Sequence, residues 1–311
     1  RTPAAMNSSI GGASVLNGTA KIQAARVGRR PAFSDPKRID SAFSPDVLGL
    51  AIGNPTTGER MIGRLFTAQG EGPHPTVLLL HGFPGYEGNG DLAHAFQRAG
   101  YTTVVFHYRG CWGSEGLFSL CNVLEDVGTA IDFIRENAGD EDYRFDPERL
   151  VLVGHSMGGF AALETAAGTR KILGAAAVSA FDFSLAAQDP AIGRAVRESL
   201  EDNLPIHRKD LETVMREIDE HSEEWHFPAL AQKLARRPLY LISGSRESVA
   251  VPSLHLTPLL EAMRRIDGAT VACDLLDAEH SYSDRRVELT DKLLAWLDGV
   301  FGGERRDDVG G

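Results

Sequence analysis

An α/β fold, built on a mostly parallel sheet of about eight strands flanked by helices, is predicted by two observations. Short runs rich in Val, Leu and Ile alternate with longer segments whose apolar residues recur at helical spacing. One connection, residues 181–237, is too long for a structureless loop and must carry structure of its own, which reads as a helical cap inserted into the sheet frame.

The strands are expected at 47–52, 61–67, 76–81, 102–107, 149–154, 174–180, 238–243 and 269–275. Between them, 91–98 reads as a helix closed by Gly100, and 123–137 spaces Val123, Val127, Ile131 and Ile134 along one face. Residues 157–168, 253–266 and 284–298 follow the same pattern. In the long connection, Asp189 and Pro190 open a helix to about Leu200 and Pro205 interrupts it. A second helix over 208–222 carries a sparse apolar stripe at Leu211, Val214, Met215 and Ile218. The expected organisation is a basic N-terminal arm (1–45), a core (46–182 and 237–302), a cap (183–236) and a C-terminal tail (303–311).

Composition narrows the function classes. With 42% hydrophobic residues in 311, the chain can bury a sizeable core and is expected to be soluble. Its longest apolar stretches, such as 77–80 and 150–153, are strand-sized and far short of the ~18 residues that would span a bilayer. A net charge of -11 argues against a nucleic-acid partner, because such binding draws on clustered Lys and Arg. Residues 1–34 run against this balance, with Arg1, Lys21, Arg26, Arg29 and Arg30 and no acid. Such a segment fits a poorly packed arm or the remnant of a targeting sequence. Cys111, Cys121 and Cys273 lack metal-ligand spacing; a bridge between Cys111 and Cys121 and plain buried thiols are both compatible with the sequence.

The chemistry centres on Gly154-His155-Ser156-Met157-Gly158, which directly follows the strand residues 150–153 and precedes a helix. A nucleophilic serine needs a sharp strand-to-helix turn to lift its hydroxyl clear, and glycines two positions away on either side remove colliding side chains. With 33 glycines in the chain the spacing alone arises by chance roughly 0.2 times, so the strand–turn–helix placement is what identifies Ser156. A second element, His81-Gly82-Phe83-Pro84-Gly85, ends the strand 76–81. Given a nucleophile at Ser156, the backbone amides of Phe83 and Met157 are the candidates for an oxyanion hole.

These segments, with Val77-Leu78-Leu79-Leu80 before the second and Tyr108-Arg109-Gly110 and Gly113 between them, resemble the α/β-hydrolase superfamily over about 61–300. The likeness is greatest to serine esterases and prolyl-oligopeptidase-like hydrolases. It implies an acid in the loop after the seventh strand and a histidine after the last one. Glu247 occupies the first place, where Asp is usual, in a loop one residue longer than is familiar; His280 occupies the second. A carboxylate of either length can orient the imidazole. Asp182, after the strand 174–180, is the alternative acid, and Asp277 a weaker one. Tyr86, His155 and Trp112 are candidate pocket residues, Tyr86 reading equally as a solvated turn and Trp112, like Trp225, equally as core. The implied activity is hydrolysis of a small-molecule ester through an acyl-enzyme, with no metal or organic cofactor. A peptidase or amidase, and a non-catalytic binding protein of the same fold, are the alternatives.

Overall fold

The computed structural model describes residues 31–201 and 205–302; most of the expected basic arm and the whole C-terminal tail lie outside them. In chain order the elements are β1 (Asp46–Gly53), β2 (Arg60–Thr67), β3 (His74–Leu80), α1 (Gly90–Arg98), β4 (Thr102–Phe106), α2 (Leu120–Glu136), β5 (Phe145–His155), α3 (Met157–Gly168) and β6 (Gly174–Val178). The long connection holds α4 (Leu185–Gln188), α5 (Pro190–Glu201), α6 (Leu211–Glu220), a 3-10 turn (Phe227–Leu230) and α7 (Ala231–Leu234). The chain then completes the sheet with β7 (Leu239–Gly244), α8 (Leu256–Arg264), β8 (Val271–Leu276) and α9 (Arg286–Phe301).

All eight strands form one sheet in the order β1-β2-β4-β3-β5-β6-β7-β8. The first two are antiparallel additions at one edge, β2 pairing antiparallel with both β1 and β4, and every other pairing is parallel. Burial follows from this arrangement. β1 and β2 alternate exposed and buried positions, whereas β4, β6 and β7 are buried throughout because both faces of the sheet are covered there. The two-residue period of the strands sorts the core: Leu78, Leu80, Leu150 and Leu152 face α2, α3 and the insertion, while Val77, Leu79, Val151 and Val153 face α1 and α9. Helix α3 is buried on nearly every side, at Phe160, Ala161, Ala162 and Leu163 among others, since it lies between the sheet and the insertion.

Strand order positions the site. β3 lies between β4 and β5, so the chain leaves in opposite directions on either side of it, and ligands of open parallel sheets bind at such a switch point. Leu80 pairs with Gly154, His155 with Val178, and Gly244 with Leu276. The loops that follow β3, β5, β6, β7 and β8 therefore emerge side by side.

Several expectations are revised in detail. β5 begins at Phe145 rather than at 149, because Phe145 and Asp146 pair with His74 and Pro75 across an irregularity before the ladder resumes at Leu150. Helix α6 begins at Leu211, capped by the Asp210 carboxylate accepting from the Thr213 amide at 2.9 Å. The residues before it are held in extended pairing instead, with bridges Cys111–Ile206 and Phe118–Arg208 joining the insertion to the loop after β4. Arg109 anchors that loop from beneath, its Nε 2.5 Å from Asp126 Oδ1 and its Nη2 2.7 Å from Glu125. The three cysteines are free, so Cys111 and Cys121 are not bridged. Trp225 is core, packed edge-on against Phe160 at 5.2 Å.

Candidate active site

Ser156 sits between β5 and α3 with φ 56° and ψ -118°, the left-handed φ that a tight strand-to-helix turn imposes on a residue with a side chain. The turn is possible only because its neighbours lack side chains: a Cβ on Gly154 would lie 2.0 Å from the carbonyl oxygen of Gly158, and one on Gly158 2.2 Å from that of Leu80. Its backbone is pinned at both ends, Ser156 N donating to Val178 O at 2.9 Å and Phe160 N to Ser156 O at 3.0 Å.

His280 reaches this hydroxyl from the loop after β8. Its Nε2 lies 3.0 Å from Ser156 Oγ, and its Nδ1 lies 2.8 Å from Glu247 Oε2. The carboxylate of Glu247 is wholly buried and its other oxygen accepts from the amides of Val249 at 2.7 Å and Ala250 at 3.1 Å. Burial by itself would raise its pKa. The hydrogen bond and charge of His280, the Val249 amide and the Ser179 hydroxyl outweigh it and hold the carboxyl down at about 2. An ionised carboxylate can only accept, so the proton between the two groups belongs to His280 Nδ1, and in the neutral ring the lone pair of Nε2 faces Ser156.

Glu247 and Asp182, weighed as rival acids, are separated by this geometry. Asp182 is buried, but the partners of its carboxylate are groups other than His280. It accepts from Ser184 Oγ at 2.6 Å, from the Ser184 amide at 3.0 Å and from the Phe227 amide at 3.0 Å, with His226 Nδ1 at 3.4 Å. Its own amide donates to His255 Nδ1 at 2.9 Å. Asp182 thus fastens the return of the insertion and α8 to the end of β6. Asp277 is exposed and pairs with Arg246.

Met157 opens α3, where the first amides have no acceptor within their own helix. Phe83 follows Gly82, whose missing Cβ would lie 2.9 Å from Ser156 Cβ, so the loop after β3 passes directly over the serine. His81 supports that loop from below. Burial lowers its pKa to about 4, leaving a neutral ring whose Nδ1 donates to Gly82 O at 2.7 Å and whose Nε2 accepts from His107 Nδ1 at 3.2 Å. His155 is neutral for the same reason, its pKa lowered to about 3, and its Nε2 donates to the carbonyl oxygen of His280 at 2.8 Å. It therefore holds the histidine loop in place.

Tyr86 and Trp112 stand at the rim, 71% and 38% exposed, with their rings edge to face at 5.6 Å. The indole N–H of Trp112 donates to Pro84 O at 2.6 Å and its backbone amide to Pro205 O at 3.0 Å, tying the loop after β3 to the insertion. Two residues in the site escaped the sequence reading. Ser179, at the end of β6, and Tyr282, two positions after His280, are buried and hydrogen-bonded to each other at 2.9 Å. No local pattern marks either of them. Among the described residues no group of His, Cys, Asp and Glu could hold a metal ion, and no helix is long and apolar enough to cross a membrane.

Comparison with known proteins agrees with this architecture. A family model described as "Alpha/beta hydrolase family" matches residues 77–300. The uncharacterized protein YfhR of Salmonella typhimurium and its counterpart in Salmonella typhi are each 36% identical over 85 residues, 27% of this chain and 27% of theirs. The match thus spans about a quarter of the length of these curated relatives. Among solved structures, the 2,6-dihydroxy-pseudo-oxynicotine hydrolase superposes with a TM-score of 0.60 at 17% identity, over 85% of this chain and 70% of that one. Est1E from Butyrivibrio proteoclasticus, solved with ferulic acid, gives 0.58 at 17% identity over 81% and 99%. The Pyrococcus furiosus esterase PF2001 gives 0.57 at 16% over 82% and 92%. At such identities the likeness is one of fold.

Proposed function

The chain belongs to the alpha/beta hydrolase family, and from that premise we propose that it is a serine hydrolase cleaving carboxylic esters through an acyl-enzyme on Ser156. The observation that carries the reading is the unbroken sequence of contacts from Ser156 Oγ to His280 Nε2 at 3.0 Å and from His280 Nδ1 to Glu247 at 2.8 Å. In the proposed reaction Ser156 Oγ attacks the ester carbonyl while His280 Nε2 takes its proton. Glu247 keeps the ring oriented and stabilises the imidazolium. The amides of Phe83 and Met157, the latter at the positive end of α3, receive the oxyanion. Collapse of the tetrahedral intermediate expels the alcohol, protonated by His280, and a water activated by the same nitrogen then hydrolyses the acyl-enzyme.

The insertion over 183–236 serves in this reading as a cap that, with Tyr86 and Trp112, bounds the approach to Ser156. A non-catalytic binding protein is disfavoured, because Glu247, the one departure from the usual acid, holds its carboxylate against His280 rather than leaving the histidine unpaired. The test is turnover of a panel of p-nitrophenyl esters and aminoacyl amides by the wild type and by Ser156→Ala. Hydrolysis of short- or medium-chain esters is expected from the wild type and a loss of about a thousandfold or more from the variant. Unchanged turnover by the variant would remove Ser156 as the nucleophile, and preference for amides would move the activity to a peptidase or amidase.

A further inference from the structure

The two amides assigned to the oxyanion are held in different ways. Met157 N is aimed by α3, whereas Phe83 lies in an irregular loop, where only contacts from outside that loop can turn its N–H toward Ser156. Strand order supplies them. β3 lies between β4 and β5, so the loop after β3 has Ser156 on its β5 side and the loop after β4 on its other side. On that other side three of its carbonyls are held. Tyr108 Oη donates to His81 O at 3.1 Å, and Trp112 Nε1 donates to Pro84 O at 2.6 Å. His107 Nδ1 donates to Nε2 of the neutral His81 ring at 3.2 Å, which leaves His81 Nδ1 as the donor to Gly82 O at 2.7 Å. Gly85 passes between two of these rings, since a Cβ there would lie 2.6 Å from Trp112 Nε1 and 2.9 Å from His81 Cε1.

We propose that the loop after β4 is the template that turns the Phe83 amide toward Ser156, with Trp112 and His107 as its positioning residues. The inference rests on the serine-hydrolase reading and deepens it. The Gly82–Phe83 peptide is trans, so its N–H points opposite to its C=O. With Gly82 O held on the β4 side, Phe83 N–H faces the β5 side, where a Cβ on Gly82 would lie 2.9 Å from Ser156 Cβ. The indole, by fixing Pro84 O, holds the chain just beyond Phe83. Trp112 does so with φ 51°, a left-handed backbone that costs energy in a residue with a side chain and persists where that side chain is needed. The template is itself built against the insertion. Trp112 N donates to Pro205 O at 3.0 Å, while His207 N donates to Gly110 O and Phe118 N to His207 O, each at 2.7 Å.

The test uses Trp112→Phe and His107→Phe in the full chain. Each keeps an aromatic ring and loses the N–H. Both should lower kcat on a p-nitrophenyl ester by about fivefold to tenfold, the worth of one hydrogen bond, with KM within about twofold. A second measurement is the Ki of a trifluoromethyl ketone, on which Ser156 would form a hemiketal with its oxygen in the same hole. That Ki should rise by the same factor as kcat/KM falls. A ring that served only as a wall of the approach, or only as support for the fold, would not link the two. Wild-type kcat in either variant, a raised KM at unchanged kcat, or a lowered kcat with unchanged Ki would overturn the proposal. Inactive S156A beside fully active W112F would sink this inference alone, whereas an active S156A would sink the underlying reading.

Discussion

The two halves of the site are held by different physics. Around Ser156 the constraint is backbone against backbone, with the carbonyls of Leu80 and Gly158 sitting where any Cβ on Gly158 or Gly154 would have to go. Around His280 it is side chain against side chain, in hydrogen bonds that join the ends of β6, β7 and β8. The first half should be intolerant of volume and indifferent to polar chemistry, and the second the reverse. The position of Ser156, the proposed nucleophile, is thus a property of the fold, while the orientation of His280, the proposed base, is a property of individual groups.

The contrast can be broken most strongly at Gly158. Gly158→Ala places a methyl 2.2 Å from Leu80 O and is expected to cost about 3 kcal/mol in chemical denaturation. Its counterpart in the other half, Glu247→Gln, preserves volume and should lower kcat by about a hundredfold or more, because an amide cannot stabilise the imidazolium and need not favour the right tautomer. The same variant has a signature in stability. The Glu247 carboxyl is depressed from its ordinary 4.5 to about 2, so its ionisation stabilises the folded chain above pH 4.5, and that contribution is lost as pH falls toward 2. Any gap in melting temperature between wild type and E247Q should be widest near neutrality and close over that window.

Asp182 sharpens the comparison, since it is as buried as Glu247 but bound to the insertion. Asp182→Asn should destabilise the chain by about 2 kcal/mol while leaving kcat within about threefold. The smallest effect has the opposite sign. Gly128, within α2, has nothing within 4 Å of its missing Cβ, and Gly128→Ala should stabilise by about 0.5–1 kcal/mol. The identical substitution at Gly158 and Gly128 therefore separates crowding from intrinsic helix propensity.

How far each part could be read from the sequence follows the same division. Ser156 was legible because its requirements, two glycines and a strand-to-helix transition, are local. So were the central strands, whose apolar runs reflect burial on both faces. His280 and Glu247 were legible only through their place in the order of strands and the family resemblance, since spacing offers nothing to join residues 33 apart. Ser179 and Tyr282 were not legible, because their partnership joins residues 103 apart and is created by the parallel register of the sheet. The four-residue helices α4 and α7 were missed for a simpler reason: they are too short to display a helical period.

The central claim is that Ser156 is an activated nucleophile, and covalent labelling by a fluorophosphonate, read by peptide mass spectrometry, tests it most directly. The account predicts a single adduct on Ser156 in the wild type, absent from Ser156→Ala and strongly slowed in His280→Ala. Failure of the wild type to label while it still hydrolyses esters, or an adduct on another serine, would contradict it.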